Sequence, residues 1–363
     1  MLVENLTVII VVPSTNMTGP IKGAVALANG LQARGVDVSF FSLKGCNNRI
    51  SDLHPDVAFH SLSNKRFVLS KIGEFRRALN SFRKDRELVS ISYCFSADLL
   101  NLFRIPSVLG VSSVRGNLPL IYRYDYGILG WLLSYLHIFM LRAFDGVISM
   151  SASMQQQLVN IGGLTSDVIP NFLDEQTLKL PSKLENQPDR FPIIVFVGSL
   201  SERKRPLMLV QAFASVVDVF PGALLRFVGA GPLERAVADA AEALNLSDHV
   251  QFHGHVTNPL DMVAGSSLFV LPSLAEGTPR AALEALYCGV PCLLTEVDGN
   301  TELISHGCNG WLLSDDQSLD ELLVIALRTI ERGTEGRCLL PDDHRQWVCV
   351  DNHINYFFKL LSF

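Results

Sequence analysis

Long apolar runs are missing from this sequence of 363 residues. A helix that crosses a bilayer needs about 18 or more consecutive apolar residues. The longest candidate, Ile128–Leu141, is shorter and carries Ser134 and His137, so no membrane span is expected. The opening MLVENLTVIIVVP has acidic Glu4 where a secretion signal wants positive charge, and its apolar run is strand-length. Cysteine is sparse and unpatterned. The seven residues, at 46, 94, 288, 292, 308, 338 and 349, are odd in number and form no Cys-x-x-Cys. That argues against a disulfide scaffold or a zinc site and for a reducing compartment. Positive charge is short as well: the net charge of −6 excludes whole-molecule attraction to nucleic acid. There is no tandem repeat and no low-complexity segment, and 48% hydrophobic with 18% charged residues leaves no room for long disorder. A cytoplasmic globular chain is expected.

What is present is a repeated strand–helix rhythm over a length that suits two domains. Leu6–Val12, Val36–Phe41, Leu88–Tyr93, Ser107–Val111, Asp145–Met150 and Ser166–Ile169 read as strands, with a helix over Gly19–Arg34. Continuous apolar strands separated by helices mean a parallel sheet covered on both faces. Asn171–Phe191 then turns polar and proline-containing, and the rhythm restarts at Ile193–Gly198, Arg203–Val219, Leu224–Val228, Leu233–Leu244 and Val250–Phe252. The expectation is an α/β chain of two Rossmann-like, doubly wound domains facing a cleft. Their expected bounds are 1–172 and 191–341, with a linker at 173–190. Residues 342–363 are expected to form helices that return to the first domain. Ligands of such sheets bind outside the carboxyl ends of strands, so the loops there should carry the chemistry.

One such loop organises the second half. Leu271–Leu294 reads LPSLAEGTPRAALEALYCGVPCLL: strand, polar loop Pro272–Pro279, helix Arg280–Tyr287, then strand. Gly277, Thr278 and Pro279 lead into the first helical turn, whose unpaired amides and dipole can hold an anion without a basic side chain. Glu276 and Glu284 flank that point. A carboxylate next to an anion site is unfavourable, so hydrogen-bonding sugar hydroxyls is the natural task for each. Taken alone, the plainer reading is one surface Glu on a loop and another on a helix.

The spacing Glu276-x7-Glu284 within PSLAEGTPRAALEALYCGVP resembles the signature of retaining glycosyltransferases of family 4, which have the GT-B fold. Asp298–Ile304 (DGNTELI) and Gly310–Leu313 (GWLL) continue the pattern. The resemblance runs over nearly the whole chain and is dense in its second half. It implies a nucleoside-diphosphate sugar as donor, linked to UDP or GDP, and a glycan or lipid-linked glycan as acceptor. Glu276 would bind donor-sugar hydroxyls, Glu284 the ribose hydroxyls, and amides after Gly277 the diphosphate. Many relatives build cell-surface polysaccharide such as lipopolysaccharide or capsule, on lipid carriers at the inner leaflet. The reaction would need no cofactor, and no metal is expected because no Asp-x-Asp motif lies in a suitable loop.

Other strand-end loops fit this reading. Gly198-Ser-Leu-Ser-Glu-Arg203-Lys204-Arg205-Pro206 gathers three cations. Charge runs are usually solvated faces, but the family pattern implies that Arg203 and Lys204 offset charge on a leaving diphosphate. Gly229-Ala230-Gly231 has most of a dinucleotide fingerprint, yet Glu234 takes the place of the third glycine. The resemblance places that loop at the nucleoside pocket instead. In Pro13–Pro20, Gly19 allows close approach to the backbone, and Thr18 is a candidate cap. Relatives carry Gly-Gly there, and a His-Gly where this chain has Arg115-Gly116. An arginine stays protonated and cannot be a general base, but it can stabilise a diphosphate or bind an anionic sugar or acceptor.

Two segments bear on membranes. In Asn64–Arg86, Val68, Ile72, Phe75, Leu79 and Phe82 recur at helical spacing beside Lys65, Arg66, Lys71, Arg76, Arg77, Arg83 and Lys84. The stripe reads either as core-facing with a solvated basic face or as an interfacial helix drawn to anionic lipid, and the two are compatible. Asn117–Arg142 adds Tyr122, Tyr124, Tyr126, Trp131 and Tyr135, for a lipid-linked acceptor or for packing. Peripheral association with the inner leaflet follows as one reading. Two rival functions stand beside the transferase: a GT-B epimerase or phosphorylase, and a non-catalytic glycan- or lipid-binding module.

Overall fold

The computed structural model describes residues 5–44, 49–63, 67–82, 85–178, 192–331 and 339–362. The chain divides into two compact units, one of Met1–Leu178 with Asp342–Phe363 and one of Lys179–Pro341. Of the expected linker, residues 179–190 lie outside the described residues, as do Cys46 and Cys338.

Unit 1 starts with β1 (Leu6–Val12), α1 (Gly19–Ala33), β2 (Asp37–Ser42) and β3 (Ala58–Ser61). It continues through α2 (Ile72–Asn80), β4 (Glu87–Tyr93), α3 (Phe95–Asn101) and β5 (Val108–Ser113). Then come α4 (Leu118–Leu141), β6 (Gly146–Ser149), α5 (Ala152–Gly162) and β7 (Asp167–Val168). The strands pair in the order β3-β2-β1-β4-β5-β6-β7, and every registered pair is parallel. All seven residues of β1 are buried, as a strand covered on both faces requires. The half-exposed edge strand β3 has no continuous apolar run, which is why the sequence does not announce it.

The two faces of this sheet carry different helices. Leu6, Val8, Ile10 and Val12 pack with α1 residues, whereas Ile9 and Val11 pack with Phe75 and Leu79 of α2 and with Ala97 and Leu100 of α3. Val108 of β5 belongs to that second cluster, and Ser112, on the same side of the strand, is in register with Val147. Val147 in turn packs with Ile138 of α4 and Leu158 of α5. So α2, α3, α4 and α5 share one face of the sheet.

The stripe Val68, Ile72, Phe75, Leu79 and Phe82 packs inward on that face. Lys71 departs from the expected basic face: it is buried, and its Nζ donates to the carbonyls of Leu43 and Ser63. Burial holds its pKa below the usual lysine range. Arg76 and Arg77 are exposed; Lys65, Arg66, Arg83 and Lys84 lie outside the described residues.

Helix α4 breaks at Gly127 (φ 66°, ψ −151°). Its second half doubles back, so that a Cβ on Gly130 would lie 2.1 Å from the carbonyl oxygen of Tyr122. Across this hairpin the Tyr122 hydroxyl meets His137 Nδ1 at 2.9 Å, and His137 Nε2 meets Asp98 Oδ2 at 2.8 Å. Asp98 also accepts from the Ser92 hydroxyl at 2.6 Å. The network ties α4 to α3 and β4, and three residues far apart in sequence gave no local signal of it.

Unit 2 contains β8 (Ile193–Val197), α6 (Pro206–Val219), β9 (Leu224–Val228), α7 (Glu234–Ala243), β10 (Val250–Phe252) and α8 (Leu260–Ala264). It continues with β11 (Leu268–Leu271), α9 (Arg280–Tyr287), β12 (Cys292–Thr295), α10 (Asn300–Leu303), β13 (Gly310–Leu313) and α11 (Leu319–Glu331). Its sheet order is β10-β9-β8-β11-β12-β13. The last helix, α12 (Gln346–Leu361), belongs to unit 1 and packs on α1, where Val350 meets Gly30. Asp174 and Glu175 hold it there. Gln346 Nε2 donates to Asp174 at 3.3 Å, and Arg345 Nε donates to Glu175 at 2.9 Å. Residues 173–178 are thus bonded into unit 1.

Candidate active site

In each sheet the strand order reverses at one place, between β1 and β4 and between β8 and β11. Loops leaving the carboxyl ends of two such strands diverge and leave room for a ligand. In unit 2 those loops are residues 198–205 and 272–279. The sequence suggests a helix from Arg203, but the structure has a short 3-10 turn at Glu202–Lys204 and starts α6 at Pro206. Pro206 lacks an N–H and disfavours the right-handed helical region in the residue before it, and Arg205 is left-handed at φ 48°. This break detaches the three cations from the helix and lets them fan over the neighbouring loop.

They hold it at several points. Arg203 Nη1 donates to the Ala275 carbonyl at 2.9 Å, and Leu274 N donates to the Arg203 carbonyl at 2.8 Å. Arg205 Nε donates to the Pro272 carbonyl at 2.6 Å. Lys204 Nζ donates to Glu276 Oε1, which Arg203 Nη1 approaches at 3.4 Å. Glu276 is only 6% exposed, and an uncompensated carboxylate at that depth would cost several kcal/mol. The two cations supply the compensation. Lys204 also lies beside Gly198, with its Cε 3.9 Å from where a Cβ would be.

Pro279 occupies the cap position of α9 and the helix begins at Arg280. Glu284, also 6% exposed, faces Arg280 Nε at 3.4 Å. Arginine four residues before glutamate is the weaker orientation for helix stability and opposes the dipole, so the pair serves to neutralise a buried carboxylate. The sequence reading missed Arg280, although the i, i+4 spacing was there to find. Gly277 and Thr278 are backed by Gly299, where a Cβ would lie 2.4 Å from the Gly277 carbonyl.

The Gly229-x-Gly231 pair has a packing role. Gly229 has φ +137°, and a Cβ there would lie 2.0 Å from the Gly198 carbonyl. At Gly231 the same atom would meet the Leu200 carbonyl at 2.4 Å. The two glycines therefore let the loops after β8 and β9 touch backbone to backbone.

Arg115 and Gly19 lie in unit 1, at its own switch point. The Arg115 guanidinium sits over the Tyr93 ring, 4.4 Å from the centroid. Its Nη1 lies 3.3 Å from both Met150 Sδ and Asn171 Oδ1. Gly23 of α1 gives it room, since a Cβ there would be 3.2 Å from Arg115 Nη2. Gly19 opens α1 with no atom within 4 Å of its missing Cβ. Thr18 takes the cap position but makes no side-chain capping bond. The structure thus gathers Gly198, Arg203, Lys204 and Glu276 in one cluster, with Gly229 beneath it.

Residues 18–171 match the family described as glycosyl transferase 4-like domain, and residues 182–333 match glycosyl transferases group 1. The chain is a family-4-type glycosyltransferase. It is similar to N-acetyl-alpha-D-glucosaminyl L-malate synthase of Bacillus anthracis, 26% identical over 317 residues, 83% of this chain and 81% of that protein. It is 31% identical over 169 residues to UDP-Gal:alpha-D-GlcNAc-diphosphoundecaprenol alpha-1,3-galactosyltransferase of Escherichia coli, 43% of this chain and 44% of that one. The crystal structure of Anabaena HepE in complex with UDP and glucose shares the fold, with TM-score 0.75 at 16% identity over 97% of this chain and 99% of HepE. As a GT-B glycosyltransferase the chain is an enzyme that moves a sugar from an activated donor, and the cluster at the β8/β11 switch point is its candidate donor site.

Proposed function

We propose that this glycosyltransferase moves a hexose-type sugar from a UDP- or GDP-linked donor to a glycan or lipid-linked glycan, with retention of anomeric configuration and without a metal. Unit 2 takes the donor and unit 1 the acceptor. The observation that carries this reading is the convergence of Lys204 and Arg203 on Glu276. A diphosphate reaching that place competes for the two cations, and each can offset charge developing on the leaving group. The released Glu276 carboxylate is then an acceptor for hydroxyls of the donor sugar. Glu284 takes the ribose hydroxyls, and the amides of Gly277 and Thr278 take phosphate oxygens. Arg115 in unit 1 contributes a permanent positive charge towards an anionic part of the donor or the acceptor. The relatives support a nucleotide donor and a polyprenol-type acceptor: the Escherichia coli enzyme's name carries both UDP-Gal and diphosphoundecaprenol. With such an acceptor the product class would be surface polysaccharide, and the enzyme would work on the cytoplasmic side, at the inner membrane face.

The test is a panel of nucleotide sugars scored for donor hydrolysis, thermal shift and, by NMR, the anomeric configuration of product. Stabilisation and hydrolysis with one base-and-sugar pair, unchanged by EDTA, is the expected result. Epimerisation of the donor at C2 would move the assignment to the epimerase class. Stabilisation by no nucleotide sugar would overturn the donor site.

A further inference from the structure

The outer side of α4 is built the wrong way round for a helix facing water. Ser134 and His137 point inward, satisfied by the Trp131 carbonyl and by Asp98. The outward positions are apolar: Ile128 is 75% exposed, Leu129 76%, Leu132 55%, Leu136 56% and Phe139 65%. These recur at steps of three and four, so they form one continuous stripe. Residues 126–141 contain no Asp, Glu, Lys or Arg. Tyr126, 68% exposed, joins Ile128 and Leu129 at the bend made by Gly127, where the hairpin presents its apolar tip. An exposed contiguous patch of this kind marks an interaction surface.

We propose that this stripe is the face by which the enzyme seats itself in a membrane surface bearing anionic lipid. Exposed Arg142 stands at one end of the apolar run and exposed Arg123 at the other, two residues from exposed Asp125; Arg142 Cζ lies 5.5 Å over the Phe139 ring, a cation carried on an apolar body. On the same face of the sheet stand exposed Arg76 and Arg77 of α2, and in the turn that leads into α2 Phe67 is 71% exposed and Leu69 56% exposed. Apolar residues flanked by cations complement acyl chains under anionic headgroups. From Ile128 to Phe139 the stripe runs about 17 Å, suited to lying in the interface plane. Among the described residues no helix is long and apolar enough to cross a membrane. The inference deepens the proposed peripheral association by moving its seat from α2 to α4.

The full chain, with vesicles of phosphatidylcholine and phosphatidylglycerol free of any glycan lipid, gives the test by co-sedimentation. Ile128→Asp with Leu129→Asp is expected to lower vesicle partitioning at least ten-fold. Leu132→Asp with Leu136→Asp gives a second, independent variant. Arg76→Glu with Arg77→Glu should weaken binding several-fold and flatten its salt dependence. Vesicle binding by both apolar variants at the wild-type level overturns the proposal. So does a wild-type dimer in sedimentation velocity that Ile128→Asp/Leu129→Asp splits, which makes a second copy the occupant. Thermal shift with nucleotide sugars should be the same in these variants as in wild type, so failure here and failure of the donor site are read separately.

Discussion

The two switch points of this enzyme hold their arginines in opposite ways. In unit 2, Arg203 and Lys204 close on a buried carboxylate and on loop carbonyls. In unit 1, Arg115 lies on an aromatic ring, a thioether and an amide oxygen, none of which carries charge. Where cations already compensate an anion, an incoming anion exchanges for it, and the desolvation cost has largely been met beforehand. Where a cation rests on neutral, polarisable groups, its full charge stays on offer, and geometry is set by packing. The same sheet topology thus holds a charge-compensated cluster in one unit and an arginine on neutral groups in the other, and the proposed exchange belongs to the first.

The sharpest way to break this contrast is Lys204→Ala. Turnover should fall by about 100-fold or more, the range seen when one transition-state donor is removed, and near-UV CD should report loosening around Glu276, left with Arg203 as its one cation of the pair. Wild-type turnover would remove the exchange site altogether. Next in size is a pH effect expected in unit 1. Burial lowers the pKa of His353 from 6.5 to about 4. The unfolded chain binds a proton at pH values where the folded one does not, so stability is complete above the unfolded value and declines as pH falls towards the folded one. The loss should reach roughly 3 kcal/mol, and His353→Phe should flatten the urea-midpoint profile over that window. An unchanged profile in the variant assigns the acid sensitivity elsewhere.

Gly229→Ala tests the backbone contact that underlies the donor cluster. It is expected to cost about 1–3 kcal/mol from the strained φ alone, read as a lower Tm together with a smaller shift on donor binding. The smallest expected effect belongs to Glu284→Ala: a donor KM raised about ten-fold, near 1.4 kcal/mol, with turnover almost unchanged. A fall in turnover with KM untouched would instead place Glu284 in the chemistry.

Much of the fold was legible locally. β1 has the bounds its apolar run suggests, and the parallel rhythm of strand and helix holds throughout both sheets. The half-exposed β3 escapes such reading, because pairing rather than composition makes it a strand, whereas the two-residue β7 falls inside the expected Ser166–Ile169. At the site, Glu276, Arg203 and Lys204 were singled out by the family resemblance; loop position and spacing alone also fitted a surface glutamate and a solvated charge run. That Lys204 reaches Glu276 across 72 residues could not be read there. The left-handed Arg205 that directs the cations was hidden as well, because the expected helix ran straight through it. In helix α4 the sequence left its aromatic residues open between a lipid-linked acceptor and packing, and it gave no sign that Ile128, Leu129, Leu132, Leu136 and Phe139 face outward.

By itself the sequence determined the periodicity of strands and helices, the two-domain length, and which charged residues end strands. Each of these depends on neighbours within a few positions along the chain. The tertiary structure alone decided which cation meets which carboxylate, which glycines touch, and which side of α4 is left uncovered. Those outcomes depend on strand order and on the direction a chain takes after a break, and neither is written in any local stretch.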